Sequence, residues 1–163
     1  MSTNPPPAST HAVPEPRRSA HAALLAGLAA LFAARVVAQA VQRWLPAPFL
    51  PPFGAFQGSS LPYAVLLSAQ FAILALMIHT SRRVRTGALQ RRLLMGRALT
   101  VAGSFYFAAI CVRIGIGLAV ADAPAWFRAT IPSVFHLVLS TFVLTLAAYH
   151  RQRRATHPER TAP

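Results

Sequence analysis

The chain has 163 residues, 55% of them hydrophobic and only 12% charged, and its mean hydropathy stays at +0.46 despite two polar tails. A soluble domain carries roughly a quarter charged residues, so this composition excludes an ordinary water-facing surface. Sixteen basic residues against three acidic ones give a formal net charge of +13, a balance that would suggest nucleic acid if the placement of the charges did not argue otherwise.

Every basic residue is arginine, which points to GC-biased coding and a bacterial source but says nothing of chemistry. Cys111 is the one cysteine, so an intramolecular disulfide and a cysteine-based zinc site are excluded. The sequence carries no metal motif and no phosphate-binding glycine loop.

Residues 1–19 contain five prolines and no aromatic residue, too little apolar surface to offset the entropy of ordering. They are expected to form a disordered tail. The first apolar stretch covers about residues 20–42, long enough as a helix to cross a hydrocarbon core of about 30 Å. A second covers 62–80, with Ser59 and Ser60 as caps and Pro62 in the first turn, where a missing N–H costs nothing. The third, 98–121, is interrupted only by Arg113. The fourth, 131–150, comes after Thr130 as a cap, with Pro132 in its first turn; a basic tail, 151–163, ends the chain. A soluble four-helix bundle would show a polar stripe toward water on every helix, whereas these stretches are apolar nearly all round. The expected fold is therefore all-α: a polytopic four-transmembrane-helix bundle.

Arginine placement sets the topology. Twelve arginines lie in the two tails and the connection between the second and third spans, while the other two connections hold only Arg43 and Arg128. The positive-inside bias places both termini in the cytoplasm, in a bacterial inner membrane. Trp44 and Trp126 fall in the outer connections, where an aromatic belt belongs. The basic residues then serve as topology signals and contacts to anionic membrane lipids, and a nucleic-acid partner is not expected. A competing reading takes the first span as a secretory signal cleaved after Ala38-Gln39-Ala40. Against it, apolar character resumes beyond Arg35, and the next segment is a hydrophobic loop rather than a secreted domain.

The informative residues are the polar ones inside the spans, because an arginine there costs at least a few kcal/mol. Arg35 and Arg113 both sit about 10–12 Å below the outer interface. Helical spacing aligns Arg35 with Gln39 and Gln42, Tyr63 with Gln70, Tyr106 with Arg113 and Gly117, and Ser133 with His136 and Ser140. The simplest packing turns all four stripes inward. The competing view lets the arginines snorkel and makes Gln and Ser packing glue.

Charge bookkeeping favours a site. Glu15 and Glu159 lie in the tails and Asp122 at the outer end of the third span, so one buried arginine is expected to lack a carboxylate. A guanidinium fork fits carboxylate or phosphate. The expected site is an outward-opening pocket for an anionic group, a lipid phosphate or a small carboxylate, held by Arg35, Gln39, Gln70, Arg113 and His136. Pro46, Pro48, Pro51 and Pro52 forbid a continuous helix after the first span, so the aromatic loop around them forms either a lid or an interfacial anchor.

The functional expectation is an accessory or ligand-binding membrane component with no cofactor, self-associated or within a larger complex. An alternative is a membrane-embedded enzyme acting on a lipid-like or anionic substrate, with His136 as acid or base near neutral pH. A third is a redox subunit with haem between His79 and His150, which lie at matching depth. The topology is checked by reporter fusions. A cytoplasm-dependent reporter should be active after residue 163 and in the loop near residue 88, and inactive near residue 50; the reverse pattern would overturn the orientation.

Overall fold

The computed structural model describes residues 15–57 and 61–152, and among them every regular element is a helix. In chain order these are α1 (Glu15–Trp44), α2 (Phe53–Phe56), α3 (Tyr63–Arg85), α4 (Leu93–Ala119), α5 (Ala125–Arg128) and α6 (Thr130–Arg151). Helices α1, α3, α4 and α6 are long and apolar enough to cross a membrane, which fits a multi-pass membrane protein.

The helices are longer than the apolar stretches. α1 starts at Glu15, so the last five residues assigned to the tail are helical, and residues 1–14 lie outside the described residues. α3 continues through Arg82, Arg83 and Arg85, and α4 begins five residues before the apolar stretch, at Leu93. Hydropathy marks only the part of a helix that needs lipid, whereas the backbone ladder continues wherever side chains can reach headgroups and water. Ser59, Ser60 and residues 153–163 also lie outside the described residues.

Two caps differ from expectation. Pro62 is the N-cap of α3 rather than a first-turn residue, and its carbonyl accepts the Leu66 N–H at 3.1 Å. Thr130 is already the first residue of α6, and its hydroxyl donates back to the Arg128 carbonyl at 3.2 Å instead of capping. Pro132 does occupy the first turn.

α1 packs against α3 on one side and α6 on the other, and α6 packs against α4, while α3 and α4 make no comparable contact with each other. The helices therefore stand in the order α3, α1, α6, α4, curved so that all four line one cavity. The bundle is open along one side.

The extensive α4–α6 contact comes from a stripe of small residues. Gly96, Gly103, Ile110 and Gly117 recur every seven residues, hence on one face, and the first three are buried. A Cβ at Gly96 would lie 3.0 Å from the His150 Cβ, and one at Gly103 would lie 2.9 Å from a Leu144 methyl. Helices that share an apolar solvent gain little from hydrophobic burial, so close backbone approach through small residues drives their packing. Gly117 admits the backbone of α5: a Cβ there would overlap the Phe127 carbonyl oxygen.

The arginine-rich end is tied together by polar contacts. Arg91 lies over the Tyr149 ring at 4.6 Å and donates to the Gln152 Oε1 at 3.0 Å. The Tyr149 hydroxyl donates to the Leu89 carbonyl, and Gln152 also meets His21 of α1. The start of α1, the α3–α4 connection and the end of α6 thus share one end of the molecule. Only 17% of the most apolar window of α3 and 11% of that of α4 is buried inside the protein. Apolar area of that extent needs a lipid covering.

Glycine substitutions test this packing. Gly117→Ala should cost about 1–3 kcal/mol through the clash with a backbone carbonyl, read as a lowered unfolding midpoint in detergent. Gly27, with open space around it, should gain up to about 1 kcal/mol on the same change. Equal effects at the two positions would contradict the packing.

Candidate functional site

α1 presents Phe32, Arg35, Val36 and Gln39 at helical spacing, and all four are buried. Phe32 and Arg35 look into a cavity of about 280 Å³ to which α3 contributes Gln70, α4 contributes Arg113, and α6 contributes Phe135 and His136. Four of the five site residues expected from sequence, Arg35, Gln70, Arg113 and His136, therefore line one cavity. The fifth, Gln39, stands behind it: fully buried, its Oε1 accepts a hydrogen bond from the Gln70 Nε2 at 3.1 Å.

Arg35 is the central group. It is only 7% exposed. One terminal nitrogen donates to the Phe56 carbonyl at 3.0 Å, the guanidinium lies 5.7 Å from the centre of the Phe135 ring, and the Nε–H has no partner. No carboxylate is among its described contacts. A carbonyl and an aromatic face are weak compensation for a buried cation, since neither carries a full negative charge. Gln70 likewise keeps its Oε1, and Gln39 its Nε2, without a partner.

Arg113 is half-buried and acts electrostatically on Tyr106 and His136. The Tyr106 hydroxyl is hydrogen-bonded to the His136 Nδ1. This contact fixes the ring at the cavity wall and couples an acid–base group to the site. Asp122 is exposed and is not among the partners of Arg35.

The inward stripes hold only in part. Ser133 and Ser140 are fully buried, but their hydroxyls donate to carbonyls of their own chain, Ala129 at 2.9 Å and Leu137 at 3.0 Å, rather than across helices. Gln42 is half-buried and caps the loop after α1 by accepting the Ala47 N–H at 3.0 Å. Tyr63 turns to the aromatic cluster, edge-on to Trp44 and Phe53.

That loop divides its roles. Phe49 and Leu45 are 82% and 74% exposed, as an interfacial anchor would be, whereas Phe56 is 4% exposed and lines the cavity. The short α2 packs on α1 and α6, so this part of the loop covers the cavity end.

His79 and His150 are not brought together. His79 is exposed on α3, while His150 is buried at the end of α6, where its Nδ1 accepts the Arg92 N–H at 3.2 Å; α3 and α6 do not pack on each other. Among the described residues no group of three or more His, Cys, Asp or Glu could hold a metal.

Sequence reasoning missed the Phe56 carbonyl, the Phe135 ring and the role of Tyr106. The spacing of seven between Tyr106 and Arg113 placed the tyrosine on the right face; nothing local signals Phe56, which reaches Arg35 across 21 residues.

The amide pair gives a separable test. Gln39→Leu or Gln70→Leu alone should cost about 1–2 kcal/mol by orphaning the remaining amide, while the double replacement should recover most of that loss. Unfolding midpoints in detergent report it, and strictly additive losses would contradict the pairing.

No family model, curated protein or solved structure matches the chain.

Proposed function

We propose that this chain is a bacterial inner-membrane protein with both termini in the cytoplasm, and that it acts as a ligand-binding or accessory component holding an anionic group at the cavity. The observation that carries the reading is Arg35: a guanidinium 7% exposed, with one carbonyl acceptor, a partnerless Nε–H and a second arginine on the same cavity wall. A bound phosphate or carboxylate supplies what the protein does not, a charged acceptor matched to the guanidinium fork. The orientation rests on the arginine asymmetry, which places the cavity toward the outer leaflet.

The enzymatic alternative draws on one observation, the Tyr106–His136 pair at the cavity wall. Among the described residues the lining includes no carboxylate and no serine or cysteine nucleophile, and the partnerless Arg35 Nε–H favours the binding reading.

Thermal unfolding in detergent tests the reading with methyl phosphate and acetate as probes. A ligand at a hundred times its Kd stabilises its site by about 2.7 kcal/mol, and at least one probe should raise the unfolding midpoint of the wild type. Arg35→Gln and Arg113→Gln should abolish the effect; Arg113, being half-buried, is the variant that keeps the fold. No stabilisation by either anion, or equal stabilisation of the wild type and Arg113→Gln, would overturn the proposal.

A further inference from the structure

We infer that the ligand is a bilayer amphiphile, a phosphate-type headgroup on an apolar chain, and that it reaches Arg35 sideways between α3 and α4 rather than from water. This rests on the anion-binding reading of the same cavity and adds the source of the ligand and its apolar part.

The open side of the cavity carries the inference. Gln70 and Arg113 line it from α3 and α4, yet the close helix pairings are α1–α3, α1–α6 and α4–α6, so the side between α3 and α4 is the one that no such pairing closes. The residues beside the gap are small: Ala69 lines the cavity and is exposed, and Ala109, one turn before Arg113 on the same face, is exposed as well. The outer surfaces of the two helices carry Leu76 and Phe105, 66% and 77% exposed. Such surfaces face acyl chains in a membrane, and the gap opens among them.

The outer end of the cavity is covered in part by the loop after α1. Phe56 is buried over the cavity and its carbonyl holds Arg35. Beside it, Phe53 lies between the Arg43 guanidinium at 5.7 Å and the Tyr63 ring at 5.3 Å.

Size and lining then specify the ligand. The cavity, about 280 Å³, lies at the lower edge of the roughly 300–1,000 Å³ found for small-molecule sites. Beyond its two arginines, glutamine and histidine it is lined by apolar residues such as Phe32, Leu66, Ile73 and Leu139. It holds a headgroup and the first few carbons. The rest of a longer chain leaves through the gap, where lipid solvates it at no cost.

Wild-type protein in phospholipid-free dodecyl maltoside is titrated with dodecyl phosphate, dodecanol and inorganic phosphate, with occupancy read by native mass spectrometry. Each methylene of the first few that is removed from water in the cavity is worth roughly fourfold in affinity, so dodecyl phosphate should bind at least a hundredfold more tightly than inorganic phosphate, and dodecanol, with no charged acceptor for the arginines, at least tenfold more weakly than dodecyl phosphate. Arg113→Gln should weaken dodecyl phosphate at least tenfold. Ala109→Leu and Ala109→Trp should weaken or slow it progressively as the gap fills. Arginine-dependent binding of both phosphates with equal affinity would overturn the amphiphile while leaving the anion site standing. Dodecanol binding as well as dodecyl phosphate, or Ala109 variants that bind like the wild type, would also overturn the inference. Binding of neither phosphate would remove the anion site with it.

Discussion

The structure turns on one buried cation. Arg35 sits where a guanidinium costs several kcal/mol unless compensated, and among the described residues it has the Phe56 carbonyl and the face of the Phe135 ring rather than a carboxylate. That single bond ties α1 to α2 and folds the proline-rich loop over one end of the helices. It also leaves the Nε–H buried without a partner, on a residue that lines the cavity. A purely structural arginine would be expected to have its donors filled from within, because buried polar groups in native proteins seldom stay orphaned.

The helix order explains how such a site survives in lipid. Glycines at 96 and 103 bring α4 close to α6, and α1 fills the middle of the row, so α3 and α4 end up as free edges with the cavity between them. Arg35, Gln70, Arg113 and His136 gather at the cavity, where Gln39 and Gln70 satisfy each other in part and Tyr106 holds His136. The arginines at the opposite end anchor the same helices through Tyr149, Leu89 and Gln152, so the two ends have different chemistry: one fixes the helices to each other, the other leaves room.

Much of this was legible in the residues. Four apolar stretches gave four helices, because a segment that must satisfy its backbone in lipid has no other regular choice when it lacks a barrel pattern. Arg35, Gln70, Arg113 and His136 could be grouped because depth and helical spacing are both readable along a helix. Gly117, on the same stripe as Tyr106 and Arg113, meets the α5 backbone. The glycine repeat at 96 and 103 passed unnoticed because its period of seven is hidden in a helix that is apolar on every side. Helix order was not legible either, since four similar spans can be arranged in several ways and only side-chain fit selects one. Phe56 was beyond reach because its contribution is a backbone carbonyl placed by a loop, and neither residue type nor spacing records that.

The most direct test of the central claim is solid-state NMR of the protein in lipid, with arginine labelled in the side chain and dodecyl phosphate at saturation, measuring dephasing of the Arg35 Nε nitrogen by phosphorus. The account predicts clear dephasing, from a phosphate within hydrogen-bonding distance of the Nε–H. An Arg35 Nε that shows none, while the phosphate is demonstrably bound elsewhere on the protein or remains in the bilayer, would contradict it.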